Sequence, residues 1–169
     1  MRRAKSLFRA VLKTTSERPY LLSAASFFES VIKDILISFF EEGTKDSELT
    51  MSFIRNRAIE REYHKFFAWR DTNANTFFGL FGGGFKDFMK GEVKKDKQLD
   101  DSIKAFLKLG DSRNELVHEN FTVFPLQTTA EEIYELYKRA SPFIDVLPVK
   151  LREYGNSAGS ESGEAGQKS

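Results

Sequence analysis

Apolar residues recur on a helical period along most of this chain, and that pattern limits it to an all-α fold. Over 19–42 the apolar positions Leu22, Ala25, Ile32, Ile35, Leu36 and Phe39 follow the three-and-four spacing of one helix face. Gly43 then offers a stop. Alternation with a period of two, the mark of a half-buried strand, is nearly missing. Phe121-Thr122-Val123-Phe124 is the one short stretch that has it. With 169 residues the chain fits one domain. The expected architecture is an all-α, up-and-down helical bundle.

The remaining elements are placed by local signals. Leu7, Val11 and Leu12 predict a short first helix over about 3–14. Ser16 and Pro19 mark the start of the long second one. Asp46 or Ser47 can cap a third helix reaching about residue 67, with Leu49, Phe53, Ile54, Ile59, Tyr63 and Phe66 as its apolar positions. Asn73 to Gly84 packs aromatics between glycines and predicts a short helix and a tight turn. A further short helix is expected from Phe85 to about Gly91, and an exposed loop at Lys94–Lys97. A helix from Leu99 to Leu109 should break or bend near Gly110 and resume to about Asn120. A connector with Pro125 spans 121–129. A last helix, capped by Thr128 or Thr129, should run towards Tyr154, bent or interrupted by Pro142 and Pro148. The folded domain is therefore placed at 1–154. The last fifteen residues, GNSAGSESGEAGQKS at 155–169, are small and polar and are expected to be a disordered tail.

Composition removes several function classes. The chain has no cysteine, so disulfides, thiolate catalysis and zinc–cysteine sites are excluded. The net charge of +1 does not mark the whole surface as a nucleic-acid binder, so any basic patch must be local. Seventeen Phe against one Trp are read as core filler. The basic, amphipathic N-terminus lacks the apolar centre of a signal peptide, and no segment is long and apolar enough to span a membrane. A soluble, cytoplasmic protein is expected.

The run Arg113-Asn114-Glu115-Leu116-Val117-His118 carries the most chemistry. Ser112 and Glu115 match an S-x-x-E capping box, which would put Arg113 and Asn114 in the first turn of a helix, where a phosphate can sit. Asn114 and His118 are four apart and share a face. Leu116 and Val117 would point away and anchor the helix in the core. Cleavage of RNA by its own 2′-hydroxyl needs one proton taken and one given, and imidazole suits both near neutrality. A guanidinium can meet two phosphorane oxygens, and no metal is required. Glu29 lies among the apolar positions of the second helix and needs a partner. That partner is either a structural Lys or Arg, or the site itself, with Glu29 holding Arg113 or His118.

The stretch LGDSRNELVHENF at 109–121 resembles the Arg-x4-6-His motif of the HEPN superfamily, including the polar residue straight after the arginine. NANTFFGLFG at 73–82 is similar to the corresponding segment of the RiboL-PSP-like HEPN branch. Ser26-Phe27-Phe28-Glu29 resembles the region where HEPN domains often carry an acidic residue. The resemblance covers about 20–150. It implies an all-helical bundle, frequent homodimers and metal-independent ribonuclease activity in many toxins and defence proteins. On that basis Arg113, His118, Asn114 and Glu29 are the expected catalytic set, without cofactor or metal. One motif histidine per chain leaves an acid or a base missing, so a homodimer with a composite active site is expected.

Other candidates are weaker. His64 is read as a surface residue, and HExxH is absent. Arg57 and Arg61, within the run Arg55–Arg70, and Lys86, Lys90 and Lys94, with Lys95 and Lys97 beside them, can gather RNA phosphates or simply face water. The glycine run 82–84 lacks the Lys-Ser/Thr of a P-loop. The expected function is an endoribonuclease leaving 2′,3′-cyclic phosphate ends, in a toxin or phage-defence setting. The alternative is a non-catalytic RNA- or protein-binding module, with a nucleotidyltransferase antitoxin or another regulatory protein as partner.

Overall fold

A computed structural model describes residues 17–43, 47–118 and 128–164. The helix expected over 3–14 and most of the expected connector lie outside these residues. Among the described residues there is no strand. The elements are α1 (Glu17–Gly43), α2 (Glu48–Phe53), a π-helical stretch (Ile54–Ile59), α3 (Glu60–Glu62), a 3-10 turn (Tyr63–Lys65), α4 (Asn75–Gly79), α5 (Gly83–Lys95), α6 (Lys97–His118) and α7 (Ala130–Glu164). The chain builds the all-α bundle that its apolar period predicts.

Helices α1, α6 and α7 pack on one another and form the body of the bundle. On α1 the buried face is Tyr20, Leu21, Ala24, Phe28, Ile32 and Leu36. On α7 it is Ile133, Tyr137, Ala140, Phe143, Ile144, Leu147 and Leu151. Both follow the three-and-four spacing that lets one face bury while the other stays wet. The phenylalanines fill the middle as expected. Phe106 on α6 lies edge-on to Phe28 at 5.8 Å, Phe67 at 4.9 Å and Phe143 at 5.2 Å, which joins three parts of the chain at one ring.

Caps behave as the sequence predicts at two starts. Ser47 Oγ accepts from Thr50 N at 3.2 Å. Thr129 Oγ1 accepts from Glu132 N at 3.2 Å while Glu132 Oε2 accepts from Thr129 N at 2.8 Å, a full capping box at the head of α7. Gly82, at φ 96°, makes the tight turn between α4 and α5.

Four expectations are corrected. The exposed loop at 94–97 shrinks to Asp96, whose carboxylate accepts from Gln98 N at 2.9 Å and Leu99 N at 3.1 Å and so starts α6 directly. The third helix is not uniform. Its π stretch shifts the register, so Leu49 and Phe53 stand exposed while Ile59, Tyr63 and Phe66 are buried. Pro142 and Pro148 lie inside an unbroken α7, because the buried residues beside them hold both flanks in the core. α7 is assigned from Ala130 to Glu164, and Ser157 Oγ donates to the Tyr154 carbonyl at 2.9 Å.

The fourth correction bears on the site. α6 runs without a break from Lys97 to His118. Ser112 is buried in mid-helix and is not a cap. Gly110 does not end the helix either. A Cβ there would collide with the indole of Trp69. The glycine is used for close approach of an aromatic ring, not for a turn.

This makes a test possible. Alanine is a better helix former than glycine by about 1 kcal/mol, yet overpacking a core contact costs about 1–3 kcal/mol. Gly110→Ala is therefore expected to destabilise the protein, with a lower urea midpoint and altered fluorescence of Trp69, the single tryptophan. A raised midpoint would show that the indole does not bear on residue 110.

Candidate functional site

The unbroken course of α6 changes where the motif stands. Arg113 and Asn114 occupy its last turns, so its free backbone N–H groups are far away at Lys97. Any anion held here is held by side chains. Gly110, Arg113, Asn114 and Val117 follow one another at spacings of three, one and three, and all face the same cavity of about 390 Å³. Leu116 points into the core, as expected, but Val117 is 49% exposed on the cavity side rather than anchored in the core.

Across the cavity stand Glu29 of α1 and the group Glu60, Tyr63 and His64 that follows the π stretch. The π stretch explains that group's position. Glu60 N donates to the Arg55 carbonyl, five residues back, and one inserted residue turns everything after it by about 100°. The rotation swings Glu60, Tyr63 and His64 towards α6. Trp69 closes the side, its Nε1 donating to the His64 carbonyl at 2.9 Å.

The charges around the cavity are mostly matched. Lys33 pairs with Glu29 at 2.9 Å and with Glu60 at 3.1 Å. Burial works against the Lys33 ammonium, but its hydrogen bonds to both carboxylates outweigh this and hold its pKa above the ordinary value. Glu29, half-buried with 30% of its side chain exposed, therefore takes the structural partner that its place among apolar residues demands. Arg113 is different. Its Nη1 donates to Asn114 Oδ1 at 3.1 Å, and no carboxylate pairs with it among the described residues. The cavity thus holds one guanidinium with a neutral partner and spare donors.

Tyr63 lies in the field of both charges. Burial pushes its phenol above the ordinary range, the Glu29 carboxylate adds to this, and Arg113 works the other way. His118 closes α6, four residues after Asn114. Its side chain lies outside the described part of the structure.

The other expected contacts fall elsewhere. Lys90 and Lys94, with Lys97, line a separate cleft of about 550 Å³ beside Asn73 and Asn75. Lys90 also pairs with Asp87 at 3.2 Å. Lys86 packs its stem near Gly79 instead. Arg57 and Arg61 are exposed and line neither cavity. Sequence reasoning missed Tyr63, His64 and Trp69. Only the π turn brings them to the cavity, and a one-residue insertion has no mark in the apolar period. His64 is exposed, as read, but it also faces the cavity. No group of three or more His, Asp or Glu able to hold a metal ion occurs among the described residues. No described helix is long and apolar enough to cross a membrane.

The raised Tyr63 phenol has a pH consequence. A phenol whose folded pKa exceeds its unfolded one leaves stability intact below the unfolded value, near 10, and removes it as pH rises beyond that. The wild type is expected to lose urea resistance more steeply than Tyr63→Phe above that pH. Parallel loss in both proteins would place the alkaline weakness elsewhere.

The family model for RiboL-PSP-HEPN matches residues 10–152, which include α1, α6 with the Arg113–His118 run, and α7 as far as Arg152. No curated protein and no solved structure matches the chain. The match extends over most of the chain and agrees with the all-helical architecture, so the chain belongs to the RiboL-PSP-HEPN family.

Proposed function

We propose that the protein is a metal-independent endoribonuclease that cleaves RNA by attack of the 2′-hydroxyl, leaving 2′,3′-cyclic phosphate and 5′-hydroxyl ends. One observation carries this reading. Arg113 lines a cavity with a neutral hydrogen-bond partner and, among the described residues, no carboxylate counter-ion, and it stands five residues before the motif histidine. An uncompensated guanidinium in a partly enclosed cavity is suited to a phosphoryl group, whose oxygens gain charge in the transition state.

In this reading Arg113 spans two non-bridging oxygens, and Asn114 orients the guanidinium through its Oδ1. His118 moves a proton. Glu29 acts at one remove, by fixing Lys33 and Glu60 on the cavity wall. Lys90 and Lys94 contact the backbone of a longer RNA in their own cleft. The protein works as a homodimer whose two motif faces meet, and exposed Val117 lies on that face. A cytoplasmic toxin or phage-defence role, restrained by an antitoxin or another regulatory protein, completes the proposal.

His118→Ala is expected to abolish cleavage of total RNA with an unchanged circular dichroism spectrum. Arg113→Ala should slow cleavage by about 10²–10³-fold. A chelator should leave the wild type active, and mapped products should end in cyclic phosphates. Cleavage that survives in His118→Ala, or stops on chelation, refutes the mechanism. RNA binding without cleavage at any salt or pH would make the site a binding module.

A further inference from the structure

In-line cleavage by the 2′-hydroxyl moves two protons, and the motif supplies one histidine. The chain has two, His64 and His118. His64 lines the same cavity as Arg113 and Asn114, although 49 residues separate it from Arg113 in the sequence.

Its surroundings distinguish it from an ordinary solvated histidine. The structural tie at this residue is made by the backbone: the His64 carbonyl accepts from Trp69 Nε1 at 2.9 Å. The ring itself takes part in no hydrogen bond or ion pair among the described residues. The residue is exposed, so the ring can be reached from outside. Nearby charged and titratable groups come from several elements. They are Glu29 of α1, Glu60 and Glu62 of α3, Tyr63, and Arg113 of α6. The three carboxylates are already engaged, Glu29 and Glu60 by Lys33 and Glu62 by Lys65 at 2.7 Å. The imidazole is therefore uncommitted to the fold, and its residue lines the same cavity as a guanidinium that no described carboxylate pairs with. An imidazole is also the side chain that exchanges a proton near neutrality.

We infer that His64 is the second proton-transfer group of this site, supplied by the same chain as Arg113. The inference rests on the ribonuclease reading. One imidazole takes the proton of the 2′-hydroxyl as the O2′–P bond forms. The other gives a proton to O5′ as the P–O5′ bond breaks. No electrons are exchanged, and the two rings end with their protonation states reversed. A second subunit then encloses the cleft, and the acid and base both come from one chain.

The experiment compares full-length wild type, His64→Gln and His64→Ala on a single-stranded RNA oligonucleotide, from about pH 5 to 9. His64→Gln is expected to lower kcat by about 10²-fold or more with little change in KM, and to flatten one limb of the bell-shaped pH profile. Added imidazole should restore part of the lost rate in His64→Ala. Urea midpoint and Trp69 fluorescence should match the wild type, because the carbonyl that holds the indole remains. A wild type that cleaves RNA beside a His64→Gln that cleaves at the same rate, with both limbs intact, overturns this inference and leaves the ribonuclease reading standing. A wild type that cleaves no RNA overturns both.

Discussion

The contact between the Trp69 indole and the bare backbone at Gly110 sets the relation between the motif helix and everything facing it. The ring lies where a Cβ would otherwise be, and its Nε1 is held by the His64 carbonyl. One side chain thus fixes the distance from α6 to the turn that follows the π stretch. Phe67 and Phe106 support the ring at 4.9 and 5.8 Å, which connects this contact to the centre of the core. The cavity exists because these surfaces are held apart by an aromatic ring instead of collapsing on smaller side chains.

Charge is then arranged on that frame. Lys33 takes both Glu29 and Glu60, so the carboxylates nearest the cavity do not reach for the arginine. Were Lys33 absent, the acids would be free to neutralise Arg113 and remove the attraction for an anion. The Lys33 cluster also joins α1 to the irregular third helix. The same ion pairs therefore serve packing and electrostatics. Their part in stability is modest, since they are partly exposed. Their part in leaving the guanidinium unpaired is larger.

Much of the fold was legible because it rests on period and caps. The face of α1 was read at Ile32 and Leu36, with its other positions displaced by about one residue to Leu21, Ala24 and Phe28. The head of α7 was read at Thr128 or Thr129 from local residue type, and the structure settles on Thr129 with Glu132 closing a capping box. The same local rule failed at Ser112 and Glu115. There the tertiary fit of Trp69 on Gly110 carries the helix straight through a sequence that would otherwise support a start. The site was half legible. Of the residues that line the cavity, Arg113 and Asn114 were singled out by the motif and the resemblance it carries, and Glu29 by its place among apolar positions, whereas Tyr63, His64 and Trp69 depend on a π turn and a loop with no periodic signature.

The corrected course of α6 also changes the physics of anion binding. At the head of a helix, free N–H groups and the positive end of the dipole hold a phosphate without help. At the last turns the dipole presents its negative end, which favours cations and opposes an anion. A phosphate in this cavity must therefore be held against the helix field by side chains, and Arg113 is the cation on α6 that lines it. That makes the guanidinium's freedom from carboxylates a requirement of binding. The acids opposite it are tied to lysines, so none of them pairs with the one guanidinium among the described residues that line the cavity.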